Sequence, residues 1–116
     1  MFQECHSLPK IELHAHIGGC IRAETFLELA EKKGVSIEHL DFYNVDIKMA
    51  FEIFKTGSKL LTDLPTLKRV TKEIIQDYAK HNTRYLELRT TPKDFPNSTK
   101  LDYINTIIQA IQEGEE

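Results

Sequence analysis

Pro9-Lys10-Ile11-Glu12-Leu13-His14-Ala15-His16-Ile17-Gly18-Gly19 is the stretch on which the fold turns. Apolar and polar residues alternate through it, with Ile11, Leu13, Ala15 and Ile17 on one side and Glu12, His14 and His16 on the other. A period of two marks a half-buried strand, so a strand is expected at about 10–16, ended by the glycine pair. A second run, Arg84-Tyr85-Leu86-Glu87-Leu88-Arg89-Thr90, sets Leu86 and Leu88 opposite Tyr85, Glu87 and Arg89 before Pro92 and Pro96 break the pattern. Ile11-Glu12-Leu13-His14 and Leu86-Glu87-Leu88-Arg89 share one rhythm: apolar, Glu, apolar, base. The chain between them is long enough for a helical crossover joining parallel strands. The expectation is an α/β protein in which these strands are neighbours in one parallel sheet. As in a barrel, the apolar alternates would face helices while the Glu, His and Arg side chains face inward.

The rest of the chain reads as helices. Ala23 to Lys33 carries Phe26, Leu27, Leu29 and Ala30 at helical spacing, with Lys32-Lys33 in the last turn and Gly34 as the stop. Val35 to Asp46 is irregular and polar, a loop. Ile47 to Leu61 is apolar, carrying Met49, Phe51, Ile53 and Phe54, but Gly57 weakens a helix there. Thr62-Asp63-Leu64-Pro65 offers a cap and a first-turn proline, and Leu67, Val70, Ile74, Ile75 and Tyr78 then recur at helical spacing, predicting a helix over about 64–81. After Asn97-Ser98-Thr99, Leu101, Ile104, Ile108 and Ile111 mark one stripe of a final helix that frays into Gly114-Glu115-Glu116.

At 116 residues, 41% hydrophobic and 28% charged, the chain fits a single folded unit, 1–116. A net charge of −3 gives no cationic field for nucleic acid or an anionic membrane. The apolar runs fall far short of the ~20 residues that span a bilayer, and Met1-Phe2-Gln3-Glu4-Cys5-His6 has no basic region leading into an apolar one. A cytoplasmic protein is expected, without nucleic-acid or membrane partners. Cys5 and Cys20 are too few for a disulfide scaffold and suit a reducing compartment.

His14 and His16 stand two apart on one strand, so both imidazoles point to one side with alpha carbons roughly 6–7 Å apart. Two imidazoles at that reach can bite one metal ion. Zinc accepts neutral imidazole nitrogen, and a catalytic site takes a third protein ligand and a position for water. The bland alternative, equally common for an isolated pair, is one buried histidine and one loop histidine. A closed structural cluster of Cys5, His6, His14, His16 and Cys20 is a weaker rival, because no C-x-x-C knuckle is present. Glu12 and Glu87 read as carboxylates that orient neighbours rather than as acids or bases. Arg89-Thr90-Thr91-Pro92 leaves the second strand with a guanidinium and two hydroxyls able to hold a phosphate or ribose. His39 and His81 read as surface residues, and Lys68, Arg69, Lys72, Glu73, Asp77 and Lys80 as the solvated face of their helix.

Leu8-Pro9-Lys10-Ile11-Glu12-Leu13-His14-Ala15-His16-Ile17-Gly18-Gly19 resembles the opening strand of the adenosine deaminase family. Val70-Thr71-Lys72-Glu73-Ile74-Ile75, continuing through Tyr85-Leu86-Glu87-Leu88-Arg89-Thr90-Thr91-Pro92-Lys93, is most similar to that family's adenosine deaminase-like branch, the N(6)-methyl-AMP deaminases. The resemblance implies a zinc-dependent (β/α)8 barrel of the metal-dependent hydrolase superfamily, monomeric at full length. It also implies hydrolytic deamination: water attacks carbon six of a purine nucleoside or nucleoside monophosphate and ammonia or methylamine leaves. By the same carry-over His14 and His16 are metal ligands, His16 also lies beside the substrate, and Arg89, Thr90, Thr91 and Pro92 line the nucleotide pocket. Gly18 occupies the substrate-contacting position where the family commonly has Asp or Asn. A histidine carried by the branch between its early helices has no counterpart in Thr56 to Leu61, where Ser58 or Lys59 would fall.

The resemblance reaches only the first third or so of such an enzyme, about two strands of a partial barrel that takes roughly 250 residues to complete. The family's third zinc histidine, its catalytic glutamate, a later histidine and the final metal-binding aspartate have no counterparts after Thr91, where no histidine occurs. No catalytic residue is therefore assigned, and the chain by itself is expected to be unstable and without turnover. The alternative expectation is a non-catalytic relative that binds a partner through exposed apolar surface.

Overall fold

Described over residues 2–114, the computed structural model contains the expected parallel pair, β1 (Lys10–His16) and β2 (Thr83–Arg89). A short helix, α1 (Phe2–Ser7), precedes β1 and had no signature in the sequence. After β1, Ile17–Gly19 makes one 3-10 turn, and three helices cross to β2: α2 (Ala23–Lys33), α3 (Ile47–Leu60) and α4 (Leu64–Lys80). The chain ends in α5 (Lys100–Gly114), packed along α4.

Local chemistry sets most of these boundaries. Gly34 stops α2 in a left-handed conformation, φ 67°, and its N–H reaches back to the last carbonyls of the helix. Asp46 accepts from the Met49 N–H at 2.7 Å to open α3, and Asp63 accepts from the Thr66 N–H at 2.8 Å to open α4 ahead of Pro65. The core lies between the helices and one face of the sheet, where Ile17, Phe26, Leu29, Leu60, Leu67, Val70, Ile74 and Tyr103 are buried.

Three expectations are corrected. Gly57 does not break α3. A Cβ there would clash with the carbonyl oxygen of Gly18, so this glycine is the notch through which the helix approaches the end of β1. On α5 the buried stripe is Tyr103, Ile107 and Ala110, with Ile111 half-buried beside it; Leu101, Ile104 and Ile108 are exposed, because the helix is apolar on more than one side. The charges of α4 do not simply meet solvent. Arg22, just ahead of α2, pairs with Asp77 at 2.7 Å, Arg69 pairs with Glu28, and Lys68 pairs with Glu113 at 2.9 Å, lacing α4 to the chain on either side.

The largest correction concerns β1. Glu12 pairs with Leu86 and Ala15 with Leu88, so three steps on β1 oppose two on β2 and the register shifts between them. That is a β-bulge at Leu13-His14, and it reverses the phase of the alternation. Glu12, Ala15 and Ile17 fall on the buried side, whereas Ile11 (69% exposed), Leu13 (51%), His14 and His16 lie on the open face. The repeated rhythm in the two strands therefore does not align: Ile11 stands opposite Tyr85, and Glu12 opposite an apolar residue.

Candidate functional site

The open face gathers its chemistry at the C-terminal end of the strands. His14 and His16 turn their Nε2 atoms to within 2.8 Å of one another, with ring centroids 4.7 Å apart. Both rings are exposed, and no other side-chain donor or acceptor engages those nitrogens. Of the two sequence readings, one histidine buried and one in a loop is excluded. The rival cluster with Cys5, His6 and Cys20 is excluded as well, since no group of three or more His, Cys, Asp or Glu side chains able to hold a metal exists among the described residues. Cys20 is a structural thiol: burial pushes its pKa up, against a bond from Tyr78 at 3.8 Å. The Tyr78 hydroxyl is pushed up to about 12, by burial first and then by Cys20 and the nearby Glu12 carboxylate.

A small polar cavity of about 110 Å³ opens beside His16, lined by Gly18, Ser58, Thr90, Thr91 and Lys93 among others. Its walls come from separate elements brought together by close packing. α3 crosses at Gly57, and the Ser58 hydroxyl fills the space beside Gly18, where a Cβ would sit 2.9 Å from its Oγ. Gly19 similarly admits the Phe54 ring, which stands edge-on to His16 at 5.3 Å. On the far wall Thr90 Oγ1 shares a 2.5 Å hydrogen bond with the hydroxyl of Tyr103, which is buried in α5. A larger cavity of about 470 Å³ lies between β2, α4 and α5; it is lined chiefly by Ile17, Ile75, Leu86, Leu88 and Ile107 and carries no comparable chemistry.

His16, Gly18, Arg89, Thr90 and Thr91 are thus together at one cavity, as the sequence groups them, while Pro92 is not part of its lining. Arg89 stands opposite His16 in the register and donates from Nε and Nη2 to the carbonyl oxygen of Leu13, at 3.2 and 3.1 Å. Phe54, Ser58, Lys93 and Tyr103 belong to the same wall and had no site role in the sequence reading. Lys93 alone had a signal, its place at the end of the Arg89-Thr90-Thr91-Pro92-Lys93 segment. At about 110 Å³ the cavity is a corner of a ligand site, since whole pockets run from about 300 Å³ upward.

Parallel strands wrapped by helices, with an imidazole pair and a polar cleft at their C-terminal ends, define the beginning of a barrel-type hydrolase. The comparisons with known proteins agree. Residues 9–116 match the family model for adenosine deaminase, and the chain belongs to that family. It is 43% identical over 120 residues to the N6-mAMP deaminase of Arabidopsis thaliana, an alignment covering 95% of this chain and 34% of that protein. Solved structures of Arabidopsis ADAL complexed with IMP and with GMP align at TM-scores of 0.80 and 0.79 and identities of 41% and 40%, each over 95% of this chain. A cog1816 amidohydrolase from B. ambifaria, solved with bound Zn, aligns at TM-score 0.71 and 25% identity, over 94% of this chain and 32% of its own. These neighbours are TIM-barrel deaminases and amidohydrolases, and this chain corresponds to about a third of their length. The chain accordingly folds as a partial barrel.

Proposed function

We propose that the chain provides the first part of the active site of a purine nucleotide deaminase, with His14 and His16 as two nitrogen ligands of a catalytic zinc ion. The observation that carries this reading is the convergence of two exposed imidazole nitrogens at 2.8 Å, beside a polar cavity, at the C-terminal end of parallel strands. Unprotonated Nε2 atoms that face one another without a carboxylate between them suit a shared cation better than a hydrogen bond between two imidazoles. Zinc held there supplies Lewis acidity and lets water act as a nucleophile near neutral pH.

The remaining wall suits a nucleoside monophosphate. Lys93 offers a cationic ammonium, Ser58 and Thr91 offer hydroxyls, and Tyr103 holds Thr90 in one rotamer. The relatives solved with IMP and GMP support a nucleotide ligand, and the Arabidopsis N6-mAMP deaminase supports a substrate bearing a substituted 6-amino group. In the reaction water adds to carbon six, the carbon–nitrogen bond breaks, and the amine leaves with a proton. The complete ligand set lies beyond what two histidines provide.

The test is zinc chloride titrated into the purified chain by calorimetry, together with ultraviolet assay of N(6)-methyl-AMP. The expected result is weak uptake of one ion, lost in His14→Ala and His16→Ala, with no deamination. Metal-dependent deamination by the 116-residue chain, or uptake unchanged in both variants, would overturn the reading.

A further inference from the structure

The bulge in β1 raises a question of hydrogen-bond accounting. Leu13 and His14 have no partners in the β1–β2 register, so the peptide between them stands outside the ladder with both its N–H and its carbonyl to satisfy. Each end is met by a charged side chain. The His14 N–H donates to Glu12 Oε1 at 2.9 Å. The Leu13 carbonyl accepts from Arg89 Nε and Nη2 at 3.2 and 3.1 Å. A carboxylate from below and a guanidinium from the neighbouring strand thus grip one peptide, whose alpha carbon on the C-terminal side carries the His14 imidazole.

We propose that Glu12 and Arg89 are positioning residues: they clamp the Leu13–His14 peptide and thereby fix the direction in which His14 meets His16. The proposal rests on the metal reading given above and deepens it. The direction of a side chain follows the orientation of its own peptide, and at a bulge that orientation is not set by the ladder. Charge-assisted hydrogen bonds to both ends replace the missing constraint. Glu12 reaches the peptide from the buried side of the sheet, where it lies half-buried near Tyr78 and Cys20, so its backbone is anchored by packing while its carboxylate turns back. Arg89 is anchored by its register partner His16 and cannot follow the peptide if it swings. Because the open face is solvent-exposed, water can satisfy the same peptide when a clamp residue is removed. The fold then survives and only the aim of the imidazole is lost.

The experiment has two arms, both on the full 116-residue chain. Without metal, amide hydrogen exchange and nuclear Overhauser contacts between the His14 and His16 rings are followed in the parent, Glu12→Ala, Glu12→Gln, Arg89→Met and Arg89→Lys. Clamping predicts slow exchange of the His14 N–H, lost in Glu12→Ala but largely kept in Glu12→Gln, whose amide oxygen still accepts. Ring-to-ring contacts weaken in Glu12→Ala and Arg89→Met, with core shifts of Ile17 and Leu67 unmoved. With zinc chloride, affinity falls about 10-fold in Glu12→Ala and in Arg89→Met, as for other residues that orient a ligand. It is largely restored in Glu12→Gln, and the double variant falls by less than the product of the two. Unchanged ring contacts and His14 exchange in Glu12→Ala and Arg89→Met would overturn the clamp. A Glu12→Gln variant as impaired as Glu12→Ala would overturn it too, by showing that charge and not geometry matters. Failure of the parent chain to take up zinc would sink the metal reading, while the metal-free arm still decides the clamp.

Discussion

The two faces of the β1–β2 sheet are built from the same strands and behave as different materials. On the helix side Ala15 and Ile17 lie against the packed layer of α4 and α5, Leu86 and Leu88 are half-buried there, and Leu67, Val70 and Ile74 are sealed beneath them. On the open side Ile11, Leu13 and Tyr85 are exposed below, and His14, His16 and Arg89 crown the C-terminal end. Parallel sheets are normally covered on both faces, so an apolar layer topped by histidines has the grading of a barrel interior, where packed side chains support chemistry at the upper rim. The bulge at Leu13-His14 is the device that permits this grading. It lets two successive residues, one apolar and one metal-binding in type, look the same way, while Ala15 and Ile17 return to the core.

The sharpest way to break this comparison is to delete the same atoms from each face. Leu67 is 0% exposed, and Leu67→Ala is expected to cost about 2–5 kcal/mol, enough to unfold a domain of modest stability. Leu13→Ala on the open face is expected to change stability by no more than about 0.5 kcal/mol. Urea denaturation followed by circular dichroism measures both. Equal losses would mean that the open face is covered in solution, by self-association or otherwise, and size exclusion at two concentrations would show it.

A second test strikes the seam between the faces, where α3 meets the end of β1. Gly57→Ala sets a methyl group against the Gly18 carbonyl oxygen, which is backbone and cannot rotate away. Overpacking of this kind costs about 1–3 kcal/mol, against the smaller gain in helix propensity that alanine brings. Ser58 and Phe54 must shift with the helix, so the His16 ring resonances should move as well. A neutral or stabilising Gly57→Ala would mean that α3 does not sit so close to Gly18.

What was legible in the sequence divides along the line between local and remote causes. The extents of α2 and α4 could be read to within a residue because Gly34 and Asp63 act on their own helices. The strands were found because alternation survives in both. The bulge was hidden, since it is a property of pairing with a strand far along the chain, and an unbroken alternation in Ile11 to Ile17 disguises the change of phase. Gly57 carried the wrong sign for a similar reason: its helix penalty is local and visible, its contact with Gly18 remote. The histidine pair and the Arg89-Thr90-Thr91 wall were reached from spacing and resemblance together. Ser58, Phe54 and Tyr103 come from faces of α3 and α5 that only the packing selects. On α5 the more obvious isoleucine stripe is the one left in solvent, while an aromatic hydroxyl from the neighbouring stripe enters the site.

The smallest expected effect lies wholly within the packed layer and isolates charge from capping. Asp63 caps α4 through one oxygen and holds Lys33 through the other at 2.9 Å, and Lys33 also donates to the Leu60 carbonyl and the Thr62 hydroxyl. Burial pushes the Asp63 carboxyl up, but Lys33 and the Thr66 N–H outweigh it and leave its pKa below the ordinary value. A depressed carboxyl contributes its stability above the unfolded-state pKa of about 3.9, and loses it as pH falls through the lower folded value. With half of the side chain in solvent, the Lys33 pair is worth only about 0.2–1 kcal/mol. Asn caps a helix about as well as Asp, so Asp63→Asn removes the pair and spares the cap. Urea midpoints should therefore favour the parent chain at pH 7, with the gap closing as pH drops below about 4. A gap that persists at low pH would assign Asp63 to capping alone and leave the turn between α3 and α4 held by the neutral acceptors of Lys33.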